Sequence, residues 1–544
     1  MTEQNDTSKS LKKAIKKAVD AKQRSQDFHQ ALVMDSESNR TALHLASQSD
    51  EYHPLAEQMI KELGVDPNLR DRQGQTPLHI AALYNSLKIA ELLIENKAIA
   101  DILDHRLLTP LYLAVFSNSF IIAKLLLDYL GVNAKDQLGR TVLHISVEIG
   151  SIRIIEELLT DPTVDINAQD INGRTALHIA ASKNDLRIVE LLLKERCSSY
   201  KEINSNSIDN DRNSALHIAV VYNATETVVK LLEANVNVNG RNQFGFTPLY
   251  LAVRRQSYEL VTLLLNRGSN CNIPDQFGNT ALHQAVFNGF ATAVRLLLEM
   301  GCNPNASNAQ GLTALQMIQT DSCEIARMLM AHGARSNLVN CDGWSIWHTA
   351  VMNKQEKVID VLLEHQSDLV NMKSENDFSV TALHLAAYFD LEIIAAKLIE
   401  KGATVDAHDS NKEIPLFYAA ARNSSKVVTL LLPSPTKANV EGLNGRSPLH
   451  VAAIKNSINV AKILVDFGGK INSQDQFNLT PLHYASYCNQ LLFIDFLLEH
   501  RIKKSPRSKP LLPEQLAMLR TSCFFRTIPF VGIEMVHSNV TFKF

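Results

Sequence analysis

The residues of this chain with the most obvious capacity for chemistry are histidines that recur at almost constant spacing. Ten of the eighteen histidines end a tetrad of the type Thr-Pro/Ala-Leu-His. Imidazoles in such a series could bind a metal ion or act as general bases near neutral pH. The tetrads end at His44, His79, Tyr112, His144, His178, His217, Tyr250, His283, Gln316, His348, His384, Phe417, His450 and His483. Successive tetrads are 32–39 residues apart, so the histidines mark a structural repeat.

Geometry argues against chemistry by these histidines. Equivalent helices in a stack lie roughly 8–10 Å apart, whereas a shared metal ion must be about 2.1 Å from each imidazole nitrogen. We expect each histidine instead to hydrogen-bond the turn of its own repeat to the turn of the next. Tyr, Gln or Phe at four of the positions agrees with a packing role.

No other motif indicates catalysis. The nucleotide-binding, zinc-protease and hydrolase motifs are absent, and no acid–base pair is evident in the sequence. The sequence therefore predicts a non-enzymatic protein with no catalytic residues, no metal and no cofactor.

One repeat shows which elements position its histidine. Asp71–Gly74 has the composition of a turn, Thr76 is a suitable helix N-cap and Pro77 suits the first helical position. A second amphipathic helix is predicted at 87–95. Neither helix can bury its apolar side alone, so each repeat needs its neighbours.

The extended pattern Gly-x-Thr/Ser-Ala/Pro-Leu-His-x-Ala, seen at Gly173–Ala180, Gly278–Ala285 and Gly445–Ala452, resembles the ankyrin-repeat family. The resemblance covers residues 36–503. It implies an all-α solenoid of about fourteen stacked helix-turn-helix units with β-hairpin fingers, binding protein partners through a concave face of fingers and first helices. The unit near 303–335, with Met317-Ile318 in place of alanine, departs most from the pattern. It could act as a soft joint.

A weaker resemblance is to rabankyrin-type endosomal proteins. It rests on Asp342–His348, the extended finger at Met372–Val380 and Asn444–His450. Such proteins carry a FYVE zinc domain with eight metal ligands, whereas the tail of this chain offers only Cys523. The resemblance therefore implies kinship without the lipid-binding domain.

The flanking segments leave alternatives open. Residues 1–35 are predicted to form a polar, basic helical cap on the solenoid. Alternatively, Lys12, Lys13, Lys16 and Lys17 could attach this helix to an anionic membrane, as in a peripheral membrane or endosomal trafficking adaptor. The polar insertion at 198–207 lengthens one finger, either as a tolerated surface loop or as a partner contact. Residues 504–544 are interpreted as a linker and tail of unknown structure.

Composition limits the classes of partner and the compartment. The chain has 54 Lys and Arg against 57 Asp and Glu, so no overall positive field attracts nucleic acid or an anionic membrane. Seven scattered cysteines without a Cys-x-x-Cys pair indicate a reduced, cytoplasmic protein without disulfides or a zinc cluster. We expect a monomer that binds other proteins and no nucleic acid.

Aromatic residues at two variable positions are the candidate binding residues, because exposed aromatics are enriched at interaction hot spots. The finger-tip position holds Phe244, Phe277, Phe378 and Phe477. The end of the first helix holds Tyr84, Phe116, Tyr222, Phe287, Tyr388, Phe389 and Tyr487. We expect the densest group, Tyr222, Phe244, Phe277 and Phe287 with Arg254 and Arg255, to hold an acidic-aromatic segment of a partner. The alternative for any one of these rings is packing against a neighbouring repeat.

Overall fold

A computed structural model of the protein describes residues 9–17, 33–35, 38–194, 203–432 and 435–504. Within these ranges the fold is an all-α series of helix pairs, as predicted. Each tetrad begins the first helix of a pair, and the second helix follows after a short loop. Each repeat is named below by the fourth residue of its tetrad. The chain divides into two compact units, Met1–Asn270 and Cys271–Phe544.

The first unit begins with a helix at 9–17 and a short antiparallel pair of strands, Val33–Asp35 with Arg40–Thr41. Its helix pairs are Ala42–Ala46 with His53–Lys61, Pro77–Tyr84 with Leu87–Glu95, Pro110–Phe116 with Phe120–Leu130, Val142–Ile149 with Ile152–Leu158, Ala176–Lys183 with Leu186–Leu193, Ala215–Val221 with Thr225–Glu233, and Pro248–Arg254 with Tyr258–Asn266.

The second unit continues the same arrangement. Its pairs are Ala281–Phe287 with Ala291–Glu299, the 3-10 turn Ala314–Met317 with Cys323–Ala331, Ile346–Met352 with Glu356–His365, Ala382–Tyr388 with Glu392–Glu400, Pro415–Arg422 with Ser425–Leu431, Pro448–Lys455 with Ile458–Asp466, and Pro481–Tyr487 with Leu491–Lys504. Short 3-10 turns also occur at Asp50–Tyr52 in the first unit and at Ser367–Leu369, Pro435–Asn439 and Leu443–Gly445 in the second.

The His79 repeat shows why its helices begin and end where they do. Thr76 is in the extended conformation expected of an N-cap, and Pro77 is the first helical residue. Asn85 ends the helix in the left-handed conformation, with φ of 58°. In the second helix Ile89 and Leu93 are fully buried, so the apolar side of the pair is covered by its neighbours.

The fingers are mostly turns rather than extended hairpins. Isolated antiparallel bridges join Ile208 to Ser214, Ser307 to Thr313, Val339 to Ser345 and Lys373 to Thr381. Backbone hydrogen bonds link successive fingers: the N–H of His105 donates to the carbonyl of Gln73 at 2.9 Å. The inserted finger is described only from residue 203 onward, and the predicted tail beyond 504 lies outside the described residues.

The expectation that every cysteine is a free thiol is wrong for one pair. Cys271 and Cys302 form a disulfide with their Cα atoms 5.7 Å apart. Both are buried in loops that follow successive second helices, and stacking brings these loops together. Cys323, Cys341 and Cys488 are free, while Cys197 and Cys523 lie outside the described residues.

Candidate protein-interaction surface

The tetrad histidine forms the same bridge in nine of the described repeats, which confirms the predicted architectural role. In the His79 repeat, Nδ1 accepts from the backbone N–H of Thr76 at 3.0 Å, and Nε2 lies 3.1 Å from the carbonyl oxygen of Leu108 in the next finger. A backbone N–H can only donate and a carbonyl can only accept, so the ring must be neutral with its proton on Nε2. Equivalent Nε2 contacts of 2.9–3.1 Å are made by His44, His144, His178, His217, His283, His348, His384 and His450.

Burial keeps these rings neutral. It lowers the pKa of His79, His217, His348 and His384 to about 4, because desolvation disfavours the charged imidazolium. Their nitrogens are also engaged in the bridges and are not open to a substrate. Among the described residues, no group of three or more His, Cys, Asp or Glu side chains could hold a metal ion.

Gln316 reproduces the histidine bridge with an amide. The N–H of Thr313 donates to Oε1 at 3.0 Å, and Nε2 donates to the carbonyl of Trp344 at 2.9 Å. The repeat therefore keeps its link to the next finger although its first helix is reduced to the 3-10 turn Ala314–Met317. The hydrogen bonds of the tetrad are therefore kept in a repeat whose first helix is replaced by a 3-10 turn.

At Phe417 the bridge is replaced by packing. Phe417 is fully buried, and the turn position that carries Asp or Asn in most other repeats is Gly442 in the repeat that follows. A Cβ atom added at Gly442 would lie 3.0 Å from Cζ of Phe417. The small residue therefore makes room for the large ring.

This pairing gives a testable prediction. We expect Gly442→Ala to destabilise the protein by about 1–3 kcal/mol through overpacking, and Phe417→Leu to remove most of that penalty in the double variant. Urea unfolding of the wild type, both single variants and the double variant would measure the coupling. An equal loss from Gly442→Ala in both backgrounds would contradict the packing argument.

Asparagines form a second set of links that the sequence analysis missed. Asn68 accepts from the N–H of Ile99 at 2.8 Å and donates to the carbonyl of Lys97 at 3.2 Å. Asn133 does the same toward Asp165 and Thr163, and Asn305 toward Arg335 and Gly333. The signal in the sequence was an asparagine eight residues ahead of the cap, as at Asn68, Asn133 and Asn305.

The candidate aromatics of the first unit are exposed. At the ends of first helices, Tyr84 is 52%, Phe116 62% and Tyr222 60% accessible. At a finger tip Phe244 is also exposed, with its ring centroid 5.7 Å from that of Phe246.

Two arginines accompany these rings in the first unit. Arg254 and Arg255 are exposed at the end of the first helix in the Tyr250 repeat. The guanidinium of Arg254 lies 5.4 Å from the ring centroid of Phe246. Cationic and aromatic groups are thus adjacent on this part of the surface.

In the second unit, some of the candidate aromatic side chains are exposed and others are partly buried. Phe277, Phe477 and Tyr487 are exposed. Phe287, Phe378 and Phe389 are only half-exposed.

The expectation of an exposed ring is wrong at Tyr388, which is 4% accessible. The guanidinium of Arg422, from the next repeat, lies 4.7 Å from its ring centroid, and Phe389 contacts it edge-on at 5.0 Å. These neighbours cover the side chain, so Tyr388 belongs to the packed interior. The predicted dense group is divided between the two units, with Tyr222 and Phe244 in the first and Phe277 and Phe287 in the second.

The basic N-terminal helix buries its apolar side. Leu11, Ala14 and Ile15 are buried, while Lys12, Lys13, Lys16 and Lys17 are exposed. Ala18 and Val19, which follow this helix in the sequence, lie outside the described residues. In the described part of the chain, no helix combines the length and apolar character needed to cross a membrane.

The family model described as "Ankyrin repeats (3 copies)" matches overlapping stretches of this chain. They are residues 5–105, 43–137, 99–170, 124–207, 143–242, 216–308, 282–373, 367–441 and 416–508. The chain belongs to the ankyrin-repeat family. Ankyrin repeats are protein–protein interaction modules.

Three curated relatives are similar over short stretches. The B-cell lymphoma 3 protein homolog of Mus musculus is 29% identical over 124 residues, which are 22% of this chain and 28% of the relative. NF-kappa-B inhibitor alpha of Gallus gallus is 32% identical over 91 residues, 16% of this chain and 29% of the relative. Neurogenic locus notch homolog protein 1 of Homo sapiens is 30% identical over 137 residues, 23% of this chain and 5% of the relative.

A solved structure is also similar in part. The ankyrin repeat domain of Bcl-3, described as a unique member of the IkappaB protein family, is 27% identical with a TM-score of 0.38. The match covers 41% of this chain and 98% of that domain. The matched stretches span less than a third of the length of each of the three curated relatives named above.

Proposed function

We propose that this chain is a non-enzymatic scaffold or adaptor of about fourteen ankyrin repeats, which binds partner proteins through its fingers and first helices. The observation that carries the proposal is the exposure of Tyr84, Phe116 and Tyr222 at one repeated position in the first unit. Covering large exposed rings with a partner removes apolar surface from water and so lowers the free energy of the complex. The bridging histidines, in contrast, are fully engaged within the fold.

The names of the relatives support a binding role. One is an inhibitor of NF-kappa-B, and inhibition by a repeat domain requires contact with another macromolecule. We carry over only this general role. That the chain is a cytoplasmic monomer and binds no nucleic acid is a separate proposal, which rests on its composition. The capture experiment described next is designed to identify the partner of this chain.

The test compares two serine variants of the full chain. In the first, Tyr84, Phe116 and Tyr222 are each replaced by serine. In the matched control, the exposed second-helix residues Ile121, Tyr129 and Tyr258 are replaced by serine. Partners are captured from a lysate and quantified by mass spectrometry. We expect the first variant alone to bind its partner about tenfold more weakly, a loss of about 1.4 kcal/mol in binding free energy. Equal capture by both variants and the wild type would overturn the proposed face.

The alternative proposal is a peripheral membrane or endosomal trafficking adaptor, in agreement with the weaker rabankyrin-type resemblance. It would use the exposed lysines of the helix at 9–17. Burial of Leu11, Ala14 and Ile15 leaves that helix without an apolar side to insert, which favours the scaffold. Flotation with anionic vesicles, using the full chain and a variant with Lys12, Lys13, Lys16 and Lys17 changed to glutamine, separates the two. Binding that the variant loses would favour the membrane adaptor.

A further inference from the structure

Exposed arginines are distributed over the fingers and first-helix ends of the first unit. Arg72, Arg106 and Arg212 are exposed in three different fingers, and Arg255 is exposed at the end of a first helix. We call these four residues the arginine set. In the described part of the chain no salt bridge joins any of them to a carboxylate. Their charge therefore faces solvent.

The aspartates beside Arg72 and Arg106 do not neutralise these two arginines, because their carboxylates are directed into the turns. Asp71 and Asp104 are buried. Oδ1 of Asp71 accepts from the N–H groups of Gln73 and Gln75, both at 2.9 Å. Oδ1 of Asp104 accepts from the N–H groups of Arg106 and Leu108. These two fingers thus hold the carboxylate inside and present Arg72 and Arg106 outside, whereas the finger of Arg212 also exposes Asp211.

On the second helices of the same unit, some exposed basic side chains form salt bridges. There Arg187 lies 3.8 Å from Glu156, and Lys230 lies 3.2 Å from Glu190. These two pairs join basic and acidic groups of neighbouring second helices. The arginine set on the finger side makes no such ion pair with another described residue, although the whole chain has a formal charge of −3.

Exposed apolar side chains lie between the arginines. Leu107 and Ile171 are exposed at finger tips, and Phe116 and Tyr222 are exposed at first-helix ends. A surface that offers both guanidinium groups and apolar groups matches a ligand with carboxylates and apolar side chains. Guanidinium groups bind carboxylates through two parallel hydrogen bonds, and the apolar contacts supply affinity that exposed ion pairs alone do not.

We propose that the finger side of residues 38–270 binds an acidic segment of a partner protein, in which aromatic or aliphatic side chains alternate with Asp and Glu. This inference rests on the proposed scaffold function and names the chemistry of its partner. A nucleic acid would also satisfy the arginines, but its phosphate backbone leaves Leu107 and Ile171 without an apolar counterpart. The observations therefore favour a peptide.

The experiment measures fluorescence anisotropy of a short labelled peptide in which Asp and Glu alternate with Phe and Leu. Two comparison peptides replace either the acidic residues by Gln or the apolar residues by Ser, and a labelled single-stranded RNA tests the nucleic-acid alternative. The variant is Arg72→Glu, Arg106→Glu and Arg255→Glu in the full chain. The matched control reverses the same number of exposed charges on second helices: Lys88→Glu, Lys124→Glu and Arg187→Glu.

We expect the acidic-apolar peptide to bind the wild type and the control equally, and the arginine variant about tenfold more weakly. Binding should weaken as ionic strength rises, and both comparison peptides should bind more weakly than the parent. Circular dichroism verifies that both variants are folded. Absence of peptide binding, equal binding by both variants, or tighter binding of the RNA would overturn the proposal.

The failure of this inference differs from the failure of the proposed function. If affinity capture depends on Tyr84, Phe116 and Tyr222 while the acidic-apolar peptide does not bind, the scaffold stands and its partner chemistry is wrong. If the aromatic variant changes no captured protein, the binding face itself is wrong.

Discussion

Replacing His283 with alanine is expected to destabilise the second unit by about 3–5 kcal/mol, and replacing it with glutamine by less than half as much. His283 is fully buried. Its Nδ1 accepts from the N–H of Thr280 at 3.1 Å, and its Nε2 lies 3.1 Å from the carbonyl oxygen of Leu312. Alanine would leave the N–H of Thr280 without this partner, remove one of the two donors to the carbonyl of Leu312, which also accepts from the N–H of Asn308 at 3.0 Å, and open a cavity. Glutamine can restore both bonds, because Gln316 makes the same pair in the adjacent repeat.

Tryptophan fluorescence during urea unfolding is the measurement. Trp344 and Trp347 are the only tryptophans of the chain, and both are buried in the second unit, so the signal reports on that unit. His332→Ala is the control, since His332 is exposed and its loss should change stability little. Equal destabilisation by alanine and glutamine would show that ring packing, rather than the bridge, accounts for the effect.

The sequence predicted the positions of the helices well because the repeat carries its own boundaries. A cap residue, a proline at the first helical position and a fixed interval recur, and each is decided within a few residues. Thr76 and Pro77 accordingly begin a helix in the structure. The histidine bridge was also predictable, because the same residue type at the same place in neighbouring repeats must serve neighbouring turns.

Other links depended on contacts between repeats that no local pattern encodes. The asparagine bonds, such as that of Asn68 to Ile99 at 2.8 Å, join residues of different fingers and use a residue type common in any turn. The disulfide between Cys271 and Cys302 joins cysteines 31 residues apart, which the scattered spacing concealed. Both became visible only when stacking placed the loops together.

The exposure of the candidate binding residues also depends on contacts between repeats. Tyr84 and Tyr388 follow their tetrad histidines at nearly the same position, yet the first is exposed and the second buried. The difference comes from the adjacent repeat, where Arg422 covers Tyr388. Side-chain exposure at a repeated position therefore depends on the next repeat, and a single-repeat pattern cannot decide it.

Acidification is expected to unfold this protein well above the pH at which most of its aspartates protonate. Burial lowers the pKa of His79, His217, His348 and His384 to about 4, against about 6.5 for a histidine in an unfolded chain. Between these values the unfolded chain binds a proton at each ring and the folded chain does not. Stability therefore falls as pH drops from 6.5 toward 4.

The size of the effect follows from the number of rings. Each shift corresponds to about 3 kcal/mol, so four rings together exceed the stability of many domains, which is about 5–15 kcal/mol. Burial also lowers the pKa of His283 and His450. Glu413 acts in the opposite direction, since burial and the Asp409 carboxylate raise its pKa to about 7. One such group offsets about one histidine.

The measurement is the pH midpoint of unfolding, followed by tryptophan fluorescence, for the wild type and for the double variant His348→Gln with His384→Gln. Glutamine keeps the bridging bonds but takes up no proton, so the midpoint should move to lower pH even if stability at neutral pH is slightly reduced. His332→Gln removes an exposed histidine and should leave the midpoint unchanged. If the wild type and the double variant unfold at the same pH, acid sensitivity does not arise from the buried histidines. In the expected case the bridge that joins successive repeats is also the group that makes the stack sensitive to acid.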